Sequence, residues 1–78
     1  MLTAYIQNAM RQAKYEILED GHYYGEIPGF QGVWAQADNL EACREELQSV
    51  LEDWLVLGLR MGHEIPVVAG IRLLPAEA

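Results

Sequence analysis

One amphipathic run, from Asn39 to about Met61, is long enough to cover a small sheet, and the rest of the chain has to be arranged around it. Leu40, Cys43, Leu47, Val50, Trp54 and Leu57 recur at steps of three and four, with Leu51 and Leu55 widening the stripe to the breadth that a core-facing helix needs. Asn39 is the start signal, because its side-chain oxygen can accept from the free N–H groups of the first turn, where Glu41 also suits the positive end of the helix dipole. Arg60 in the last turn and Gly62 beyond it form the matching stop. The opposite face carries Glu41, Glu45, Glu46, Glu52 and Asp53 against Arg44. Such a face is either simply solvated or meets a partner of opposite charge.

Before this helix the hydrophobic period changes twice. Leu2, Tyr5, Ile6, Ala9, Met10 and Ala13 share a helical face, so residues 3–12 are expected as a short helix capped by Thr3. At about three turns it is marginal alone and has to dock on its own sheet or on another subunit. From Lys14 the chain reads as two strands, residues 14–19 and 22–27, around an Asp20-Gly21 pair suited to a two-residue type I′ turn. Pro28-Gly29 offers a further turn, and residues 32–37 a third strand leading into the long helix. Three strands with short connections form an antiparallel meander. Alternation then places Tyr23, Gly25, Ile27, Val33, Ala35 and Ala37 towards the long helix. Tyr24, Glu26, Trp34 and Gln36 fall on the other face, a mixture of amphipathic rings and polar groups that fits a contact surface, covered by the chain's own N-terminal helix, a symmetry mate or a partner. Pro66 keeps the segment after Gly62 from being helical, and Ile71–Leu74, ended by Pro75, is the candidate for a fourth strand.

The expected architecture is therefore α+β in a single domain over residues 1–78: an N-terminal helix in 1–13, a three-stranded antiparallel meander in 14–38, a long crossover helix in 39–61, and a connector with a short fourth strand in 62–78. A chain of 78 residues, half of them hydrophobic, buries only about 60–65 % of its unfolded surface, which points to a homo-oligomer, at least a dimer. Twelve acidic residues against five basic ones give a net charge of −7, which disfavours direct binding to nucleic acid and is compatible with a basic protein partner. No stretch approaches the roughly 20 apolar residues of a membrane span, and no basic segment followed by an apolar signal core opens the chain, so a cytoplasmic protein is expected.

Catalytic and metal-binding signatures are not found in the sequence. Cys43 is the single cysteine and lies on the apolar stripe, which excludes an internal disulfide or a cysteine metal cluster and makes it a core residue. His22 and His63 stand far apart in different elements, without the repeated spacing of a metal site. Ser49 is the only serine and sits inside the helix, and the Gly29-Phe-Gln-Gly32 run lacks the lysine of a phosphate loop. Among the carboxylates only Glu16 and Glu26, on strands, could serve acid–base chemistry. The chain is expected to be no enzyme and to carry no cofactor or metal.

The order of several short motifs, however, is distinctive. Tyr15-Glu-Ile-Leu-Glu-Asp-Gly21, Tyr23-Tyr-Gly-Glu-Ile-Pro28, Gly29-Phe-Gln-Gly32, Ala37-Asp-Asn-Leu-Glu41, Trp54-Leu55 and Gly62-His-Glu-Ile-Pro66 together resemble the HicB-type antitoxin domain over about residues 14–68. Val33, Ala37 and Asn39 replace that family's common Cys, Gly and capping Thr. The resemblance implies a truncated ribonuclease-H-like sheet in which a fourth strand lies beside the first. It also implies a non-catalytic antitoxin that covers the RNA-contacting surface of a small basic mRNA-cleaving toxin of double-stranded-RNA-binding fold. Many such antitoxins add a C-terminal DNA-binding segment, for which the residues after the fourth strand leave no room, so self-repression by direct DNA binding is not expected. The N-terminal helix is an addition to the family pattern that could serve assembly. On this reading Tyr24, Glu26 and Trp34 contact the partner while Glu45 and Glu52 steer it. The alternative is a stand-alone homo-oligomer, structural or regulatory, with a ligand-sensing groove between subunits.

Overall fold

The computed structural model describes residues 2–71. Helix α1 (Leu2–Arg11) is followed by strands β1 (Lys14–Ile17), β2 (Tyr23–Glu26) and β3 (Trp34–Ala37), and then by helix α2 (Leu40–Arg60). The strands form one antiparallel sheet in the order β1-β2-β3, and α2 packs across one side of it, against β3 and β2. The molecule is thus an α+β two-layer structure with the meander that turns and alternation predict.

The β1–β2 hairpin differs from expectation by one residue. Lys14 pairs with Glu26 and Ile17 with Tyr23, the Leu18 N–H reaches the His22 carbonyl at 2.8 Å, and the Gly21 N–H closes on the Leu18 carbonyl at 2.9 Å. The loop is therefore Glu19-Asp20-Gly21, a turn closed by one residue of positive φ, Gly21 at +89°, instead of the two-residue Asp-Gly turn. A one-residue change of register exchanges the faces of a strand. In the observed register Tyr15 shares the helix side with Gly25, and Glu16 stands opposite Tyr24 on the outer side.

Gly25 is where sheet and helix come closest. A Cβ there would lie 2.8 Å from the Tyr15 ring and 3.2 Å from Cys43 Sγ, so any larger residue forces those side chains to shift. Cys43 is fully buried, its Sγ 3.6 Å from the Ala35 carbonyl, and burial pushes its thiol pKa up, as befits a core residue. The buried line of α2 is Cys43, Leu47, Leu51, Leu55 and Gly58. That line is turned from the sequence stripe: Leu40 and Leu57 are exposed, while Val50 and Trp54 pack at its margin. Both ends of α2 are as expected. Asn39 accepts from the Ala42 N–H at 2.8 Å, and Gly62 follows the Met61 cap with φ +70°.

Helix α1 already includes Leu2, which puts Thr3 inside the first turn and not at the cap. It buries Tyr5, Ala9 and Met10 and packs against α2, so that no helix among the described residues covers the outer sheet face. Tyr5 fixes it: the ring meets Phe30 edge-on at 6.3 Å and the hydroxyl donates to the Pro66 carbonyl, so the helix is tied to both the β2–β3 loop and the connector after α2. Of the expected fourth strand, residues 72–74 lie outside the described residues. Ile71 bridges back to Val68 across an Ala69-Gly70 turn with both φ values positive, and the described sheet has three strands.

Candidate partner-binding face

The outer side of the sheet is built by alternation alone. Residues out of phase with Tyr15, Gly25 and Ala35 must point away from α2, and they are Lys14 and Glu16 on β1, Tyr24 and Glu26 on β2, and Trp34 and Gln36 on β3. Trp34 is 53 % exposed, a large cost for an indole unless it meets something. Its ring stacks on that of Tyr24 with centroids 6.0 Å apart and planes 24° from parallel. The Tyr24 hydroxyl in turn donates to Glu26 Oε1 at 3.0 Å, and Glu26 is the direct cross-strand partner of Trp34. Three side chains thus hold one another in place, and the hydrogen bond to the Glu26 carboxylate, with some desolvation, raises the Tyr24 pKa.

Beside this cluster the β2–β3 loop forms a wall. The Phe30 N–H bonds to the Ile27 carbonyl at 3.1 Å around Pro28-Gly29, and the Val33 N–H to the Phe30 carbonyl at 3.2 Å around Gln31-Gly32. Gly29 at φ +87° and Gly32 at +86° occupy the third position of each turn, where type II geometry needs positive φ. The two turns drive Phe30 inward, against Trp54 at 5.3 Å, and leave a concavity of about 360 Å³ lined by the loop, Tyr24, Glu26 and Trp34. Sequence reasoning identified the ring pair but not this wall; the cue was a lone phenylalanine between two glycine turns.

The chain matches the UPF0150-like family over residues 4–66. It belongs to that family. The structure is similar to that of TTHA0281 from Thermus thermophilus, with a TM-score of 0.89 and 42 % sequence identity over 97 % of this chain and 95 % of that one. No curated protein matches it.

In this UPF0150-like chain the five residues expected to meet a partner fall in two places. Tyr24, Glu26 and Trp34 are together, as described. Glu45 and Glu52 are exposed on α2, on the far side of the sheet from that cluster: Glu45 borders a shallow surface with Glu41, Arg44 and Gln48, and Glu52 accepts from Gln48 Nε2 at 3.3 Å. The helix carboxylate that does border the cluster is Glu46, which shares a second concavity with Trp34, Gln36 and Val50. Glu16 joins the same face through the hairpin register.

A further polar group lies at the other end of the sheet. His22 stands between Asp20, with Nδ1 to Oδ2 at 2.9 Å, and Asp38, with Nε2 to Oδ1 at 3.0 Å. The Asp20 interaction, with a smaller contribution from Asp38, raises the imidazole pKa, and the backbone and side chain of His22 lower that of Asp20. The two carboxylates lie against opposite nitrogens of the ring, so when the ring is protonated the arrangement is an ion-paired staple from the hairpin turn to the approach to α2. Among the described residues no group of three or more His, Cys, Asp or Glu is placed to hold a metal ion, and no helix is long and apolar enough to cross a membrane.

Proposed function

We propose that the chain is a non-catalytic, HicB-type antitoxin-like protein that binds and neutralises a small basic mRNA-cleaving toxin. The observation that carries the reading is the outer sheet face, where an exposed tryptophan stacks on a tyrosine that is hydrogen-bonded to a carboxylate, on a protein of net charge −7. Held rings lose little entropy on binding and supply the central anchors of an interface, while acidic groups around them set partner choice and association rate. A toxin that grips RNA has a basic surface, and an acidic face of this kind neutralises it by occupying that surface. Membership of the UPF0150-like family supports the same reading.

Titration calorimetry against the product of the neighbouring reading frame, if that product is small and basic, tests the proposal at low and moderate salt. The expected result is tight binding that weakens as salt rises and that stops the partner's RNA cleavage. Binding without loss of cleavage, or no binding at all, overturns it. A negative result favours the stand-alone homo-oligomer, for which there is a largely apolar groove between α1 and α2 lined by Leu2, Ile6, Leu55, Val56 and Leu59, with Thr3 and Glu52 also on its wall.

A further inference from the structure

The outer face sets two aromatic rings among carboxylates. Glu26 uses Oε1 for the Tyr24 hydroxyl, and among the described residues Oε2 has no hydrogen-bond or ion-pair partner. Lys14, which stands opposite Glu26 in the register, makes no ion pair with it. The indole of Trp34, beside that carboxylate, is more than half exposed. Glu16 lies across from Tyr24, and Glu46 shares a concavity with Trp34, so three carboxylates neighbour the ring pair against the one ammonium group of Lys14.

We propose that this cluster is a guanidinium-binding subsite, in which an arginine of the basic partner stacks on Trp34 and donates to Glu26. The inference rests on reading the outer face as the partner-binding surface and names the side chain that surface takes. Arginine is favoured over lysine by shape. A guanidinium is planar and weakly hydrated, so it stacks on an indole while its edge donates to a carboxylate; an ammonium group is a strongly hydrated point charge that meets the carboxylate but gains less from the ring. The Tyr24 hydrogen bond fixes the carboxylate in advance, so less freedom remains to be lost when the arginine arrives.

The test uses the full chain, labelled with nitrogen-15, and two capped peptides, acetyl-Gly-Arg-Gly-amide and acetyl-Gly-Lys-Gly-amide. The arginine peptide is expected to shift the Trp34 indole N–H and the Tyr24 and Glu26 amides with an affinity about threefold that for the lysine peptide, the scale of an exposed cation–π contact. Glu26→Gln and Trp34→Leu, both at exposed positions, are each expected to remove that preference while the spectrum of the core, including Trp54, stays in place. Equal response to the two peptides, shifts confined to Glu45 and Glu52, or no shift at all overturns the subsite. Failure here is separable from failure of the antitoxin reading: a toxin that binds the outer face while the peptides do not discriminate removes only the arginine assignment. Discriminating peptides without any toxin binding remove only the antitoxin.

Discussion

Gly25 shows how much a single hydrogen atom can determine. Replacing it by alanine returns about 0.5–1 kcal/mol of backbone entropy, and in an open strand the exchange is stabilising. Here the added methyl lies 2.8 Å from the Tyr15 ring and 3.2 Å from the buried Cys43 sulfur. Overpacking of that kind costs about 1–3 kcal/mol, more than the entropy returned. Gly25→Ala is therefore expected to lower stability by roughly 1 kcal/mol, the difference between the central values of the two effects, read as a lower urea midpoint with unchanged slope. An unchanged or raised midpoint means that Tyr15, which is only half-buried, gives way without loss.

At the scale of elements, the His22 staple links the β1–β2 turn to Asp38, directly before α2. Because the folded-state pKa of His22 is raised above its unfolded value near 6.5, the contribution of the charged ring is complete below about pH 6.5 and is lost as pH rises through the folded value. Asp20 behaves in the opposite sense: its pKa is lowered, so its contribution is present above its unfolded value near 3.9 and disappears as pH falls through the folded one. The staple is expected to hold best between these limits. A proton NMR titration should place His22 above 6.5, and His22→Gln should flatten the decline in melting temperature on the alkaline side of that pKa. A His22 that titrates at or below the unfolded value removes the staple.

The same elements show what was legible in the sequence. The ends of α2 were, because Asn39 and Gly62 act through their own local chemistry. The two sheet faces were legible on β2 and β3, where alternation is strict and Gly25 and Ala35 are too small for anything but a close helix. The hairpin register was not, since Asp-Gly suits both a two-residue turn and the end of a three-residue one, and the packing of Tyr15 against Cys43 through Gly25 decides between them. That choice concealed Glu16 on the outer face. Nor could spacing indicate that the buried line of α2 passes through Gly58, where Ile65 packs so closely that a Cβ would lie 2.9 Å from its Cδ1. The place of α1 was hidden for a similar reason, because its anchors, Phe30 and the Pro66 carbonyl, are distant in the chain.

Taken as a whole, the molecule carries its charge unevenly. Glu41, Glu45, Glu46, Glu52 and Asp53 are all exposed on α2, with Arg44 and Arg60 the basic residues on that helix. Gathered along one rod, these carboxylates repel one another, and the compact state suffers more from this than the expanded one. Salt shortens the reach of such repulsion to about 8–10 Å near physiological strength. The isolated protein is therefore expected to melt at a higher temperature in 150 mM than in 20 mM sodium chloride, roughly the range over which screening develops. The complex with a basic partner should respond in the opposite sense, since the same salt weakens attraction between unlike charges. Opposite slopes, one from thermal melts of the free protein and one from calorimetry of the pair, distinguish charge serving a partner from charge serving solubility alone. If stability rises with salt while affinity stays flat, the acidic helix is a solvated face, and the partner is held by Trp34, Tyr24 and Glu26 without help from Glu45 and Glu52.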